Sequence, residues 1–375
     1  MTQPGHTCMS RSDAPARWQA IWAGRGWRAR LLWPLSQVYG LLSAWRRRRY
    51  LNGSLPVATM PVPVIVVGNV VVGGAGKTPT TLAVLEHLKN AGWRPGVVSR
   101  GHGRQGHAVL EVRPDTTATD GGDEPVLIRR KAEVPVFVGR RRADAARALL
   151  AAHPQVNVLV CDDGLQHLAL GRDVSIAVFD DRGLGNGWLL PAGLLREPWP
   201  PAAGDPFAPQ LVLRQGRHDG PHADIPMPPA TQGFSATRRL ADQAVDARGA
   251  RRDLRAFAGE TLVAVAGIAR PEVFFQMLRE QGLELSQTVA LPDHADAKAF
   301  AALPRSASAT VLCTEKDAVK LFNVVARWPA SQRPAVWSIP LDLRIEPAFF
   351  EALDRRLAAC GRSGRLSSAD GHETA

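Results

Sequence analysis

At 375 residues the chain can bury a full core and divide into two domains, since single cores stop growing near ~250 residues, and a small disulfide scaffold is excluded. With 45% hydrophobic and 22% charged residues it has a globular composition, and no run of ~18 uninterrupted apolar residues marks a membrane span, which excludes a multispanning membrane protein. The formal charge of +11 leaves nucleic acid, an anionic membrane or a phosphorylated substrate as partners.

That charge is gathered at the start of the chain. Residues 1–60 hold nine arginines (Arg11, Arg17, Arg25, Arg28, Arg30 and Arg46 to Arg49) against one acid, Asp13, a net of +8, and five of the ten tryptophans. Leu31, Leu35, Val38, Leu42 and Trp45 recur at helical spacing, with Ser36, Gln37, Gly40 and Ser43 off that face and Pro34 tolerable in a first turn. The pattern predicts an amphipathic helix. Its apolar run is short for spanning and leads into Arg46 to Arg49, whose guanidinium groups can meet anionic headgroups while tryptophan sits at the boundary. The alternative is a core helix with a solvated basic end. Arginines follow the apolar run and no small-residue cleavage site appears, which argues against a signal peptide.

From Pro61 β-branched apolar runs alternate with helical stretches. Strands are expected over 62–67, 97–98, 134–138, 156–160 and 175–179, and helices over 79–91 and 143–152. Val-rich strands separated by helices imply a mostly parallel sheet covered on both faces, an α/β doubly wound domain. Residues between about 198 and 260 are rich in Pro, Gly and Ala and read as loops plus connecting strands. A second, smaller α/β unit follows, with strand 262–266, turn Gly267-Ile268, helix 271–281 and strand 310–313. The expected division is a basic amphipathic segment 1–60, a P-loop core 61–205, a linker 206–260, a second unit 261–358 and a disordered tail 359–375.

Cys8, Cys161, Cys313 and Cys360 are scattered, and the middle two lie in apolar strand-like runs, which favours reduced buried thiols and excludes a zinc site. His218 and His222 have i,i+4 spacing, but Gly220 and Pro221 between them indicate a loop without a metal role.

The strongest motif is Gly68-Asn69-Val70-Val71-Val72-Gly73-Gly74-Ala75-Gly76-Lys77-Thr78, set between a strand and a helix. A phosphate-binding loop needs glycines so that backbone wraps the anion, a helix N-terminus, a Lys for the β/γ oxygens and a hydroxyl for Mg²⁺. Residues Val71 to Thr78 supply the loop, with Lys77 and Thr78 in the last two roles; the strict P-loop pattern fails at its first position, Val71. Asp162 and Asp163 end a neighbouring strand and are candidates for Mg²⁺ and its water shell, the alternative being a solvated turn. Gly121-Gly122-Asp123-Glu124-Pro125 places carboxylates on a tight loop, and Pro292-Asp293-His294 places a histidine on a loop of the second unit. An Asp and a His converging from two domains can take a proton from an attacking hydroxyl. Thr314-Glu315-Lys316-Asp317 lacks the spacing of a guanine-selecting motif, so GTP is not inferred.

With Gly68 to Pro79, Ser99-Arg100-Gly101, Gly121 to Pro125, Asp162 to His167, Pro191 to Pro198, Pro292 to His294 and Thr314 to Lys320, the chain resembles the tetraacyldisaccharide 4'-kinase family of lipid A biosynthesis from about residue 18 to 350. The resemblance implies transfer of the ATP γ-phosphoryl group, with Mg²⁺, to the 4'-hydroxyl of an acylated disaccharide 1-phosphate lipid. It also implies a peripheral or monotopic enzyme on the cytoplasmic face of the bacterial inner membrane, against an anionic membrane surface. Asp123 would be the base, His294 its partner and Lys77 the phosphate-neutralising group; Thr78, Asp162, Asp163 and Glu197 would form the Mg²⁺ and phosphate environment, and Arg100 would meet substrate phosphate. His102 stands where the family often has Tyr, and Leu165 where Phe is common. A P-loop kinase of a soluble metabolite would leave the basic first helix without a use. A nucleic-acid-dependent ATPase would carry basic residues along the core, which is nearly charge-balanced, so no nucleic-acid partner is expected.

Overall fold

The computed structural model describes residues 14–74, 76–217, 224–295 and 299–361; Cys8, Ala75, His218, His222 and the expected tail beyond residue 361 lie outside the described residues. In chain order the first half contains α1 (Ala14–Ala23), α2 (Trp27–Leu51), β1 (Val64–Gly68), α3 (Lys77–Asn90), β2 (Pro95–Ser99), β3 (Leu110–Val112), α4 (Ala118–Gly121), α5 (Asp123–Ala132), β4 (Val136–Val138), α6 (Arg142–Ala152), β5 (Val158–Asp162) and β6 (Val174–Phe179). There follow β7 (Leu211–Arg217), β8 (Gln232–Leu240), β9 (Gln243–Val245), β10 (Arg251–Asp253), β11 (Leu262–Ala266), α7 (Pro271–Glu280), β12 (Leu285–Ala290), β13 (Thr310–Thr314), α8 (Glu315–Ala326), β14 (Ala335–Ile339), β15 (Leu341–Ile345) and α9 (Pro347–Ala359).

Nine strands form one sheet in the order β15-β8-β7-β6-β1-β5-β2-β4-β3, and six form a second in the order β10-β9-β14-β13-β11-β12. The centre of the first sheet is parallel: Val67 of β1 pairs with Asp162 of β5, and Gly68 with Ala177 of β6. Every residue of β1, β5 and β6 is buried, the signature of strands covered on both faces. One core joins Val84, Leu85 and Leu88 of α3 to Val126 and Ile128 of α5 and to Phe349 and Leu353 of α9. The other lies on the opposite face around Ala145, Ala146 and Leu149 of α6. The carboxyl ends of β1 and β5 therefore open on the same edge, where α/β sheets hold ligands.

The sheets divide the chain differently from the expected boundaries. The Pro- and Gly-rich stretch supplies β7 and β8, full members of the first sheet, and β9 and β10 of the second. After β14 the chain returns, and β15 pairs antiparallel with β8. The second sheet is an insertion whose two connections run side by side, with Ala241 N–H donating to Pro340 O at 2.9 Å.

Helix α2 docks opposite to the core-helix alternative. Its apolar face points away from the body, with Leu31 72% and Leu42 60% exposed, while Ser36 is 1% exposed. Ser36 Oγ donates to Leu189 O at 2.8 Å and accepts from Ala192 N–H at 3.0 Å, and Gly40 lies against Leu189. The small, polar stripe is the docking face. Among the described residues no helix is long and apolar enough to cross a membrane. Cys161 and Cys313 are free and buried, and burial pushes the Cys161 thiol up to about 11.

Candidate active site

Gly68 ends β1, and the chain turns through Gly73 and Gly74 to Gly76, which caps α3 in the left-handed conformation at φ +80°. Gln215 of β7, 1% exposed, closes the floor beneath this turn. Its Nε2 donates to Gly76 O at 3.0 Å and Thr80 Oγ1 at 2.6 Å, and a Cβ at Gly76 would overlap its side chain. Positive φ and the missing Cβ both require glycine here. Asn69 Nδ2 donates to Gly73 O at 3.1 Å, and Arg182 Nη1 to Val72 O at 3.1 Å, pinning the loop on either side. Val72, Gly73, Gly74, Gly76, Lys77 and Thr78 line a cleft of ≈ 410 Å³ between the two sheets. The N-terminus of α3 thus faces the cleft, where helix amides and dipole favour an anion. Val71 is different: it is fully buried in the core and bridges Leu195, so it shapes the loop from below.

At the end of β5 the two aspartates separate. Asp163, at φ +50°, lines the cleft; its Oδ1 lies 3.6 Å from Lys77 Nζ and 3.2 Å from Arg196 Nη1. Burial works against its charge, but Lys77, Arg196 and Arg142 outweigh it and hold the carboxyl below the usual range. Asp162 is fully buried and is not among the residues that line the cleft. Its Oδ1 accepts from Thr81 Oγ1 at 2.8 Å, and Oδ2 is buried with no partner. Burial first, then the charges of Glu124 and Asp163, push its pKa up to about 7. An orphaned, destabilised carboxylate oxygen fits a cation, which would relieve both conditions. Among the described residues no group of three or more acidic, His or Cys side chains is placed to hold a metal ion by itself, so a cation here would need phosphate, water or hydroxyl oxygens as further ligands.

Across the cleft, Asp123 is the first residue of α5 and not part of a loop. Gly122 before it stands at φ +89°, and its Cβ position is 3.1 Å from the Gly101 Cα, so the two glycine motifs are where two backbones touch. From the second sheet, His294 Nδ1 lies 3.2 Å from Asp123 Oδ2, and Lys320 Nζ of α8 lies 2.7 Å from the same oxygen. Burial would raise the Asp123 pKa; the bonds from His294 and Lys320 overcome it and hold the carboxyl below its usual value. Lys316, one turn before Lys320, has its Nζ 2.7 Å from Asp293 Oδ1, 3.3 Å from His294 Nε2 and 3.6 Å from Glu124 Oε1. His102 packs against His294 with ring centroids 4.6 Å apart, and burial followed by the His294 charge lowers its pKa. Thr314 and Asp317 form an N-cap for α8, with Asp317 N–H donating to Thr314 Oγ1 at 3.2 Å and Asp317 Oδ2 accepting from Gly267 N–H at 2.9 Å. That explains the Thr-Glu-Lys-Asp sequence without a guanine.

The structure therefore gathers Val72, Gly73, Gly74, Gly76, Lys77, Thr78, Asp163 and His294 on one cleft, with Asp123 bonded to His294. Arg100 is exposed and lines no part of that cleft. Glu197 has both oxygens engaged within the protein: Oε1 accepts from Gln166 Nε2 at 2.8 Å and Oε2 lies 3.1 Å from Arg47 Nη1. Glu197 is not among the residues that line the cleft. Sequence reasoning missed Arg196, Gln215, Lys316 and Lys320. Lys316 and Lys320 share one face of α8 by their i,i+4 spacing, a signal open to anyone who had foreseen that helix.

The family profile for tetraacyldisaccharide-1-P 4'-kinase matches residues 28–358. A tetraacyldisaccharide 4'-kinase of Polaromonas naphthalenivorans is 52% identical over 353 residues, covering 94% of this chain and 97% of that protein. One from Acidovorax sp. (strain JS42) is 51% identical over 364 residues, covering 97% of this chain and 100% of that protein. In fold, the crystal structure of the "apo" form of LpxK from Aquifex aeolicus in complex with ATP superposes with a TM-score of 0.71 at 24% identity, covering 88% of this chain and 98% of that one. With a nearly full-length profile match, relatives at about half identity and a glycine-rich loop that shares a cleft with His294 of the Asp–His pair, this chain belongs to the tetraacyldisaccharide-1-P 4'-kinase family.

Proposed function

We propose that the chain transfers the γ-phosphoryl group of ATP to the 4'-hydroxyl of a tetraacyldisaccharide 1-phosphate, with Asp123 accepting the hydroxyl proton and His294 orienting it. Family membership supports the reaction, and the contact of His294 with Asp123 at 3.2 Å, across the cleft from Lys77, carries the residue assignment. Asp123 is suited to the task because it is ionised and fixed on a helix start, so its approach to the acceptor is set before reaction. Lys77 and the amides at the start of α3 face the phosphates, and Arg196 shares Asp163 with Lys77, which leaves the lysine at only 3.6 Å and able to turn toward an anion. Thr78 and Asp162 would hold Mg²⁺, which when bound draws negative charge from the phosphate oxygens. Arg100, exposed beside Gly101, is assigned to the substrate phosphate.

The outward face of α2 is assigned to the lipid surface. Trp27, Leu31, Leu35, Val38, Leu42 and Trp45 form an exposed apolar stripe, and Arg49 lies over the Trp45 ring with 5.0 Å between the guanidinium carbon and the ring centroid. A stripe of this kind with flanking cations suits an interfacial helix on an anionic leaflet, the cytoplasmic one where ATP is available.

The test is label transfer from γ-labelled ATP to an acylated disaccharide 1-phosphate in mixed micelles, beside a lipid-free disaccharide and an oligonucleotide. Transfer is expected to the acylated sugar alone, and to be lost in Asp123→Asn with nucleotide affinity retained. Equal transfer to the lipid-free sugar overturns the lipid reading, and normal turnover by Asp123→Asn removes that residue from the base role.

A further inference from the structure

Arg47 sits in the run of four arginines expected to meet headgroups, but the body of the protein holds it. Its Nη1 lies 3.1 Å from Glu197 Oε2 and its Nε 2.6 Å from Asp205 Oδ2, while its guanidinium stands 5.5 Å from the Phe207 ring centroid. Arg46 and Arg49 instead cover Tyr50 and Trp45 of their own helix. From Glu197 a polar chain leads inward. Gln166 Nε2 donates to Glu197 Oε1 at 2.8 Å, Arg196 Nη1 donates to Gln166 Oε1 at 3.3 Å and to Asp163 Oδ1 at 3.2 Å, and that oxygen lies 3.6 Å from Lys77 Nζ. Two turns before Arg47 on the same helix, Tyr39 Oη donates to Arg196 O at 2.7 Å. Helix α2 thus grips the Arg196-Glu197 pair by main chain and side chain together.

We propose that Arg47 is a positioning residue of the phosphotransfer site: by holding Glu197, and through it Gln166, it keeps Arg196 on the Asp163 carboxylate and so leaves Lys77 free to turn to a phosphate. The proposal rests on the functional reading above. Arg196 and Lys77 compete for Asp163, and the competition decides how freely Lys77 turns to a phosphate. With Arg47 absent, Glu197 loses its hydrogen-bonded cation; Arg172, which also feels the Glu197 charge, is tied to Leu165 O and His167 O, and Arg196 lies one shared glutamine away. Arg196 drawn to Glu197 leaves Asp163 to Lys77 alone, and a lysine fully paired to its own carboxylate is a poorer phosphate ligand. Glu197 then serves the site as a tether, and α2 becomes part of the active site as well as its seat on lipid.

The experiment compares full-length wild type, Arg47→Gln, Arg47→Lys, Glu197→Gln and the double variant Arg47→Gln/Glu197→Gln. It measures ATP affinity by direct titration, kcat and KM with the acylated disaccharide, and partition onto vesicles of phosphatidylethanolamine and phosphatidylglycerol. Arg47→Gln is expected to weaken ATP binding and lower kcat/KM for ATP by about tenfold, with vesicle partition within twofold of wild type, and Arg47→Lys to restore part of the loss. The double variant is expected to lose little more than either single one, because contacting groups in one network are not additive. Losses that add, or an Arg47→Gln variant with normal ATP parameters and weakened vesicle binding, overturn the proposal and make Arg47 a headgroup residue. Should Arg47→Gln not fold, Tyr39→Phe removes only the hydroxyl's bond to Arg196 and carries the same expectation for ATP affinity, and an unchanged affinity there overturns the proposal as well. The titration needs no acceptor, so wild-type failure to phosphorylate the acylated sugar counts against the functional reading separately.

Discussion

His294 Nδ1 lies 3.2 Å from Asp123 Oδ2 although the two residues belong to units built on different sheets. His294→Gln, which keeps a polar side chain but no imidazole, is expected to lower kcat by roughly 10²-fold or more while ATP affinity stays within twofold. Steady-state kinetics with direct nucleotide titration checks this, and a loss confined to ATP binding would contradict it.

Lys320 reaches the same Asp123 oxygen at 2.7 Å, and its charge helps keep the carboxyl ionised. Removing it in Lys320→Met raises the Asp123 pKa, so the acid limb of kcat/KM moves to higher pH. The stabilising contribution of this carboxylate is present above the ordinary Asp pKa and lost as pH falls through its lower folded value. Acid unfolding of Lys320→Met is therefore expected to begin at higher pH than in wild type. An acid limb that does not move would show that Lys320 only packs.

Gly76 is required twice, by its φ of +80° and by Gln215 against its Cα. Gly76→Ala is expected to destabilise the fold by about 1–3 kcal/mol and to abolish measurable ATP binding, because strain at the cap displaces the helix start that faces phosphate. Denaturant unfolding and titration read the two effects separately.

His167 is held neutral: burial, then Arg142 and Arg172, push its pKa down to about 3. The unfolded chain gains a proton as pH falls through the ordinary His range near ~6.5, while the folded chain resists until about 3, so acid costs stability across that interval. His167→Gln is expected to lose less thermal stability between pH 7 and pH 5 than wild type, as followed by the unfolding midpoint.

The exposed stripe on α2 predicts that Leu31→Ser with Leu42→Ser lowers vesicle affinity by tenfold or more, given roughly 1.5–3 kcal/mol per buried leucine, and leaves ATP affinity intact. Cosedimentation with anionic vesicles measures it, and unchanged binding would remove α2 from the lipid surface.

The parallel core was legible in the sequence because Val-rich runs and the glycine-rich turn are local signals, and strand 262–266 falls on the observed β11. What was not legible was long-range. Asp123 was expected on a loop because two glycines precede it, yet those glycines serve a backbone contact with Gly101 and the helix begins at once. Strands β7 and β8 hide in a Pro- and Gly-rich stretch because sheet neighbours, more than their own residues, hold them. Helix α2 was legible as amphipathic, but which face met the body depended on Ser36 and Gly40 finding Leu189. Glu197 was assigned by motif to the metal environment, and only the structure reveals Arg47 and Gln166 occupying its two oxygens.

The chain crosses between the two sheets at the paired connections of Ala241 and Pro340, and side chains such as Arg270 with Asp181 and Lys131 with Glu315 join the two units beyond them. Val72 to Gly74, Gly76 to Thr78 and Asp163 line the cleft from the first sheet's unit, which also carries Asp123; His294 and Lys320 arrive on the second. The Asp123–His294 contact therefore depends on how the two units meet. An opening between the units would part Asp123 from His294 and Lys320 while the glycine-rich turn before α3 stayed whole, so if Asp123 is the base, its activation depends on the two units being closed.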